Sequence, residues 1–224
     1  MPRLFVACVP SASTRAALAL EVQRLVVAAP ALRVVGADDL HLTLAFLGAT
    51  PDDRVPSLCA ALAPVAAAAA PFAITVEGLG AFPSFRTPRA IWAGLTGDAG
   101  TASAIRLAKR VARACADVGC PAAARGTFQP HVTLGRSDGR RPEPALEMLL
   151  TVGALQGTYI PEVLSDLLLM VSETDVASSG APDARRPGSR YRVLATWPFG
   201  GGAGSPSAEP GDGTNETDGG TRAR

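Results

Sequence analysis

Apolar and polar positions fall into blocks along this chain, and the period of each block points to an element. Leu4 to Val9 is a short apolar run and reads as a strand. After Pro10 and Ser11, Leu18, Val22, Leu25 and Val26 recur at helical spacing, with Arg15, Glu21 and Arg24 off that face. His41 to Leu47 reads as a strand ending at Gly48. Thr50-Pro51-Asp52-Asp53 has the form of a helix start: a capping Thr, then Pro, then first-turn acids. An alanine-rich helix follows to about Ala69. Phe72 to Leu79 and Arg89 to Leu95 read as strands around a Pro-, Gly- and Ser-rich loop, Gly80 to Pro88.

A third helix spans about Thr101 to Val118. Ile105, Ala108, Ala112 and Cys115 form its inward stripe, and Arg106, Lys109, Arg110 and Arg113 face water. Thr127 to Gly135 is a strand, Pro142 to Leu150 a short helix, and Val163 to Glu173 a strong strand. Ser178 to Ser189 is a polar loop before the last strand, Arg190 to Phe199. Strands joined by both helices and short turns predict an α/β (α+β) fold with largely antiparallel sheets flanked by helices. A weak repeat runs through this order: a helix leads to HLTLAFLG at residue 41, and another leads to HVTLGR at residue 131. Residues 1–199 therefore read as a single bilobal domain. Its two similar lobes span about 1–97 and 98–199.

Composition adds limits. The chain has 224 residues, 47% hydrophobic and 18% charged, enough for a sizeable core without disulfide or metal staples. Its apolar runs are broken by Arg, Asp, Glu or Pro before the roughly 18 residues that a membrane-crossing helix needs. The opening MPRLFVACVPSAS reads as a first strand and not as a signal segment. Gly200 to Arg224 lacks large apolar residues and reads as a disordered Gly-rich tail. A net charge of +1 excludes a strongly basic nucleic-acid coat, though not a local basic site. Lys109 is the sole lysine beside twenty arginines, a coding bias that weakens arginine count as evidence. Cys8, Cys59, Cys115 and Cys120 lack a CxxC spacing and read as small buried hydrophobes, consistent with a reducing cytoplasm. A monomer is expected.

The chemistry lies in the histidines. The chain has two, and each is followed two residues later by Thr: His41-Leu42-Thr43-Leu44 and His131-Val132-Thr133-Leu134. With 16 threonines in 224 residues, a chance double match comes to about half a percent. Strand side chains alternate faces, so His41 and Thr43 share one face while Leu42 and Leu44 enter the core. The same holds for His131 and Thr133. Two such strands side by side present two imidazoles and two hydroxyls to one cleft. One ring can accept a proton while the other donates one, and the hydroxyls can hold phosphate oxygens. That suits in-line displacement at a phosphodiester without a metal. A zinc site would need a third or fourth ligand, and a Ser-His-Asp site has no GxSxG elbow.

On these motifs the chain resembles the 2H phosphoesterase superfamily. Within it the resemblance is to the RNA 2',3'-cyclic phosphodiesterases, the LigT-like or 2'-5' RNA ligase proteins. It covers about residues 3–199. It includes RLFVA, DDLHLTLAFLG, GLGAFPSFRTPRAIWAGL at 78–95, FQPHVTLGR at 128–136, and Ser172 followed later by YRVLATWPF. The resemblance implies a pseudo-twofold pair of lobes with the active cleft between them, RNA ends or cyclic-phosphate nucleotides as substrate, and no cofactor. It makes His41 the proton donor to the leaving 3'-oxygen and His131 the proton acceptor that activates water. It assigns Thr43 and Thr133 to the phosphate. Arg136 matches an arginine that follows the second motif in many relatives; strict alternation turns it away from His131, so a role there requires a bulge or strand end. Relatives often carry Lys where this chain has Ala45, which parity places on the His41 face. Phe46 and Trp92 read as core residues first and base-stacking residues second.

The expected reaction is hydrolysis of RNA 2',3'-cyclic phosphate ends to 2'-phosphate ends. Reversible 2'-5' ligation, a nonenzymatic RNA-end binding module and another 2H substrate such as ADP-ribose cyclic phosphate remain the alternatives.

Overall fold

A computed structural model describes residues 1–123, 127–138, 144, 146–148, 160–173 and 190–200. In chain order these form β1 (Arg3–Cys8), α1 (Ala12–Ala28), β2 (Arg33–Val34), β3 (Leu42–Ala49), α2 (Val55–Ala67), β4 (Phe72–Phe82) and β5 (Ala90–Thr96). Then come α3 (Asp98–Asp117), β6 (His131–Arg136), β7 (Ile160–Leu164), β8 (Asp166–Glu173) and β9 (Arg190–Pro198). The strands make one sheet in the order β7-β4-β5-β6-β3-β1-β8-β9, with β2 added beside β6. Every pairing among them is antiparallel. The architecture is thus mixed helix and antiparallel sheet. The expected loop Ser178 to Ser189, and the tail beyond Gly200, lie outside the described residues, as does most of the expected helix Pro142 to Leu150.

The helices form for local reasons and bury one face each. Ser11 caps α1 by accepting from Thr14 N, and Leu18, Val22 and Leu25 enter the core. Glu21, expected on the polar face, is buried instead, and its Oε1 accepts from Arg24. Thr50 does not cap α2. Its hydroxyl donates to the Gly48 carbonyl, and a 3₁₀ turn, Asp52–Arg54, intervenes. The inward stripe of α3 is rotated from the expected one: Ala104, Leu107, Ala108, Val111 and Cys115 are buried. Helices α2 and α3 pack on each other and against the sheet, so the main core lies between them and the inward leucines and valines of the strands.

The tertiary order differs from the chain order in two instructive places. The run Val163 to Glu173 is not one strand. It parts at Ser165 into β7, which pairs with β4, and β8, which lies between β1 and β9. Those positions are on opposite halves of the sheet. The half β7-β4-β5-β6 draws strands from both sides of residue 97, and so does the half β3-β1-β8-β9. At the junction β6 meets β3, which brings the two histidine motifs together.

Candidate functional site at the β3–β6 junction

Leu42 pairs with Val132 where β3 meets β6, and both are fully buried. Their neighbours therefore share the opposite face. The antiparallel register of that pair sets His41 across from Thr133 and Thr43 across from His131. All four side chains are half-buried. The structure thus brings His41, Thr43, His131 and Thr133 to one place.

The two rings are held alike. His41 Nδ1 donates to the Asp39 carbonyl at 2.6 Å, and His131 Nδ1 donates to the Gln129 carbonyl at 2.7 Å. A carbonyl can only accept, so Nδ1 carries the hydrogen in both. Nε2 is then the nitrogen left for chemistry, an acceptor when the ring is neutral and a donor when it is charged. Aromatic side chains fix the ring planes. Phe5 and Tyr191 flank His41 at centroid distances of 4.9 and 4.8 Å. Phe82 and Trp92 flank His131 at 5.1 and 5.6 Å.

Burial disfavours the charged form of each ring. It pushes His41 down to about 4, against the raising effect of its bond to Asp39, with Arg136 and His131 lowering it further. Burial also lowers His131; Gln129 raises it and Arg136 lowers it. Both imidazoles are therefore neutral at pH 7 in the free protein.

Each motif contains a break in strand phase at the same residue. Along β1, Ala7 pairs with Thr43 and Val6 with Ala45, leaving Leu44 as the extra residue of a bulge. Along β5, Trp92 pairs with Thr133 and Ile91 with Gly135, leaving Leu134 extra. The residue after each bulge is buried: Ala45 in one motif, Gly135 in the other. The next residue then returns to the histidine face, Phe46 in one motif and Arg136 in the other. Ala45 is accordingly a core residue and not the cleft residue that parity suggested. Phe46 is 44% exposed and not a core residue. Arg136 is exposed on the face of His131, and its charge reaches both rings.

Trp92 is half-buried and leans on Phe82 and His131, over Gly80, where a Cβ would run into its ring. Sequence reasoning assigned no role to Phe5, Phe82 or Tyr191, the other ring neighbours. Tyr191 stands in the quoted YRVLATWPF segment, which is the one local signal for it. The Asp39 and Gln129 carbonyls left no side-chain signal, since any residue type could supply them. Among the described residues no group of three or more His, Cys, Asp and Glu side chains is placed to hold a metal ion. No helix among them is long and apolar enough to cross a membrane.

Several known proteins are similar to this chain. A protein named RNA 2',3'-cyclic phosphodiesterase from Geobacillus stearothermophilus is 36% identical over 130 residues, 57% of this chain and 40% of that protein. One of the same name from Aeropyrum pernix is 35% identical over 119 residues, 53% of this chain and 65% of that protein. The match thus spans less than two thirds of either relative's length. A solved structure from Thermus thermophilus matches with a TM-score of 0.66 at 27% identity, covering 89% of this chain and 98% of that one. The structure of E. coli LigT complexed with 3'-AMP matches with a TM-score of 0.62 at 26% identity, covering 89% and 99%. The family model of the 2'-5' RNA ligase superfamily matches residues 14–166, well over half of the chain, and the chain belongs to that superfamily.

Proposed function

We propose that this protein hydrolyses RNA 2',3'-cyclic phosphate ends to 2'-phosphate ends by acid–base catalysis between two histidines. The observation that carries the reading is the matched pair of imidazoles, each with Nδ1 tied to a main-chain carbonyl and Nε2 left for chemistry. The names of the relatives support the substrate class.

In this reading His131 Nε2 takes a proton from water as it attacks phosphorus. His41 Nε2 gives a proton to the departing 3'-oxygen, so the 2'-oxygen keeps the phosphate. Thr43 and Thr133 donate hydrogen bonds to the non-bridging oxygens, and Arg136 balances their charge. His41 is neutral in the free protein, so the anionic substrate itself must favour its protonation: a negative phosphate beside the ring raises the pKa that burial and Arg136 lower. The reaction requires no metal or cofactor. The protein acts as a monomer in the cytoplasm, where its buried thiols at Cys8, Cys115 and Cys120 stay reduced.

The test is turnover of 2',3'-cyclic AMP and of an oligonucleotide ending in a cyclic phosphate, with the product's phosphate position determined. His41→Ala and His131→Ala each lower the rate roughly 10²- to 10⁴-fold. The double mutant is little worse than the worse single, since the pair acts as a unit. A substrate with a better leaving group than a ribose oxygen needs less protonation, so it rescues His41→Ala far more than His131→Ala. Equal rescue of both overturns the roles, and wild-type rates in either single mutant overturn the reaction.

A further inference from the structure

Arg33, the cross-strand partner of Arg136, is not explained by the chemistry at the cyclic phosphate. β2 consists of Arg33 and Val34 and lies against the end of β6, with Arg33 opposite Arg136 and Val34 opposite Gly135. Val34 packs on the core and Gly135 is buried, so Arg33 and Arg136 share the other face, the face of the histidines. Directly paired side chains of one sign repel. Among the described residues neither guanidinium forms a hydrogen bond or an ion pair.

The pair is held in place by packing. A Cβ on Gly135 would lie 2.9 Å from Leu32 Cδ2, so the glycine lets the segment before β2 press onto β6. Val35 N also donates to the Leu134 carbonyl at 2.9 Å. The fold thus fixes side by side, at the rim of the site, two cations that have no partner among the described residues. Arg136 affects both histidine rings, and Arg33 stands across from it on β2, which lies on the same edge of β6 as β3.

We infer that Arg33, beside Arg136, builds a second phosphate subsite that takes the internal phosphodiester on the 5' side of the terminal nucleotide, so that the site prefers an RNA strand to a cyclic mononucleotide. This rests on the function proposed above. A guanidinium donates in a planar fork that matches phosphate oxygens, and an anion between two such forks turns their repulsion into attraction.

The test compares 2',3'-cyclic AMP, which has no second phosphate, with a dinucleotide ending in a cyclic phosphate and with ADP-ribose cyclic phosphate, which carries a pyrophosphate. Arg33→Gln lowers the ratio of kcat/KM for the dinucleotide over cyclic AMP about tenfold, the scale of one charge-assisted contact, and Arg33→Lys retains only part of it, because an ammonium lacks the planar fork. The slope of log kcat/KM against log salt for the dinucleotide becomes shallower by about 0.7 in Arg33→Gln, as expected for one lost phosphate contact on a single strand. Its melting temperature does not fall, because a like-charge pair has been relieved. An unchanged ratio overturns the proposal, as does an equal loss on all three substrates or a loss confined to ADP-ribose cyclic phosphate. Binding of a labelled dinucleotide with a terminal 2'-phosphate, read by anisotropy, tests Arg33 without turnover. Arg33→Gln weakens it about tenfold, by the loss of the same contact. Unchanged binding rejects the subsite, whereas failure of the wild type to turn over any substrate rejects the reaction and not the subsite.

Discussion

Replacing Arg136 with Gln tests the electrostatics of both rings at once. In the wild type, burial holds His41 at about 4, with Arg136 and His131 adding to the effect. At pH 7, three units higher, about one His41 ring in a thousand is protonated, against about one in four for a histidine at 6.5. If His41 is the acid, kcat/KM reports that small fraction in the free protein. Above pH 7, where His131 is already neutral, kcat/KM then falls about tenfold for each unit. Arg136→Gln removes a lowering influence from both rings, so both titrations move up and the whole bell moves to higher pH. The rate at its optimum meanwhile drops roughly 10- to 100-fold, because a charged contact to phosphate is lost. NMR reads the titrations directly. The chain has only two histidines, and His41→Ala and His131→Ala assign the two imidazole signals. If either titration stays fixed or moves down in Arg136→Gln, Arg136 does not act on both rings.

Other outcomes follow from single contacts. Both histidines have folded pKa values below the unfolded value, so their contribution to stability is full above about pH 6.5 and is lost as pH falls, for His41 down to about 4. For His41 the loss is about 3 kcal/mol, and melts from pH 7.5 to 4.5 should show a slope that His41→Gln reduces. Gly80→Ala drives a methyl into the Trp92 ring that leans on His131; stability falls by roughly 1–3 kcal/mol, and turnover falls more than a loss of fold alone explains. Glu162 is 7% exposed and accepts from Ser11 N, Ser11 Oγ and Val163 N. Glu162→Ala therefore uncaps α1 from β7 and lowers stability by roughly 2–4 kcal/mol in urea melts, with the histidine titrations unchanged. Turnover should survive EDTA in full; activity that disappears in chelator and returns with one divalent ion would refute the metal-independent reaction.

The sequence by itself carried the local facts. Period and punctuation placed β1, β3, β4, β5, β9, α1 and α3 within a few residues, because alternation and capping depend on near neighbours, whereas α2 starts at Val55, after a 3₁₀ turn, and not at the cap read at Thr50. The two His-x-Thr motifs were legible for the same reason: a two-residue spacing on a strand sets a shared face without reference to the rest of the fold. Longer-range facts were not legible. Val163 to Glu173 has the pattern of one strand, and only competition between the β4 and β1 edges divides it at Ser165. The bulges at Leu44 and Leu134 exist because the partners β1 and β5 pair around them, so parity within the motif mispredicted Ala45 and Phe46 and turned Arg136 away from the site. The two-residue β2 is too short to show a period, yet it sets Arg33 beside Arg136. Spacing along the chain decides which side chains share a face within one strand. Which strands lie together, and where a bulge shifts their phase, depends on pairing between distant segments, and only the tertiary structure decides that.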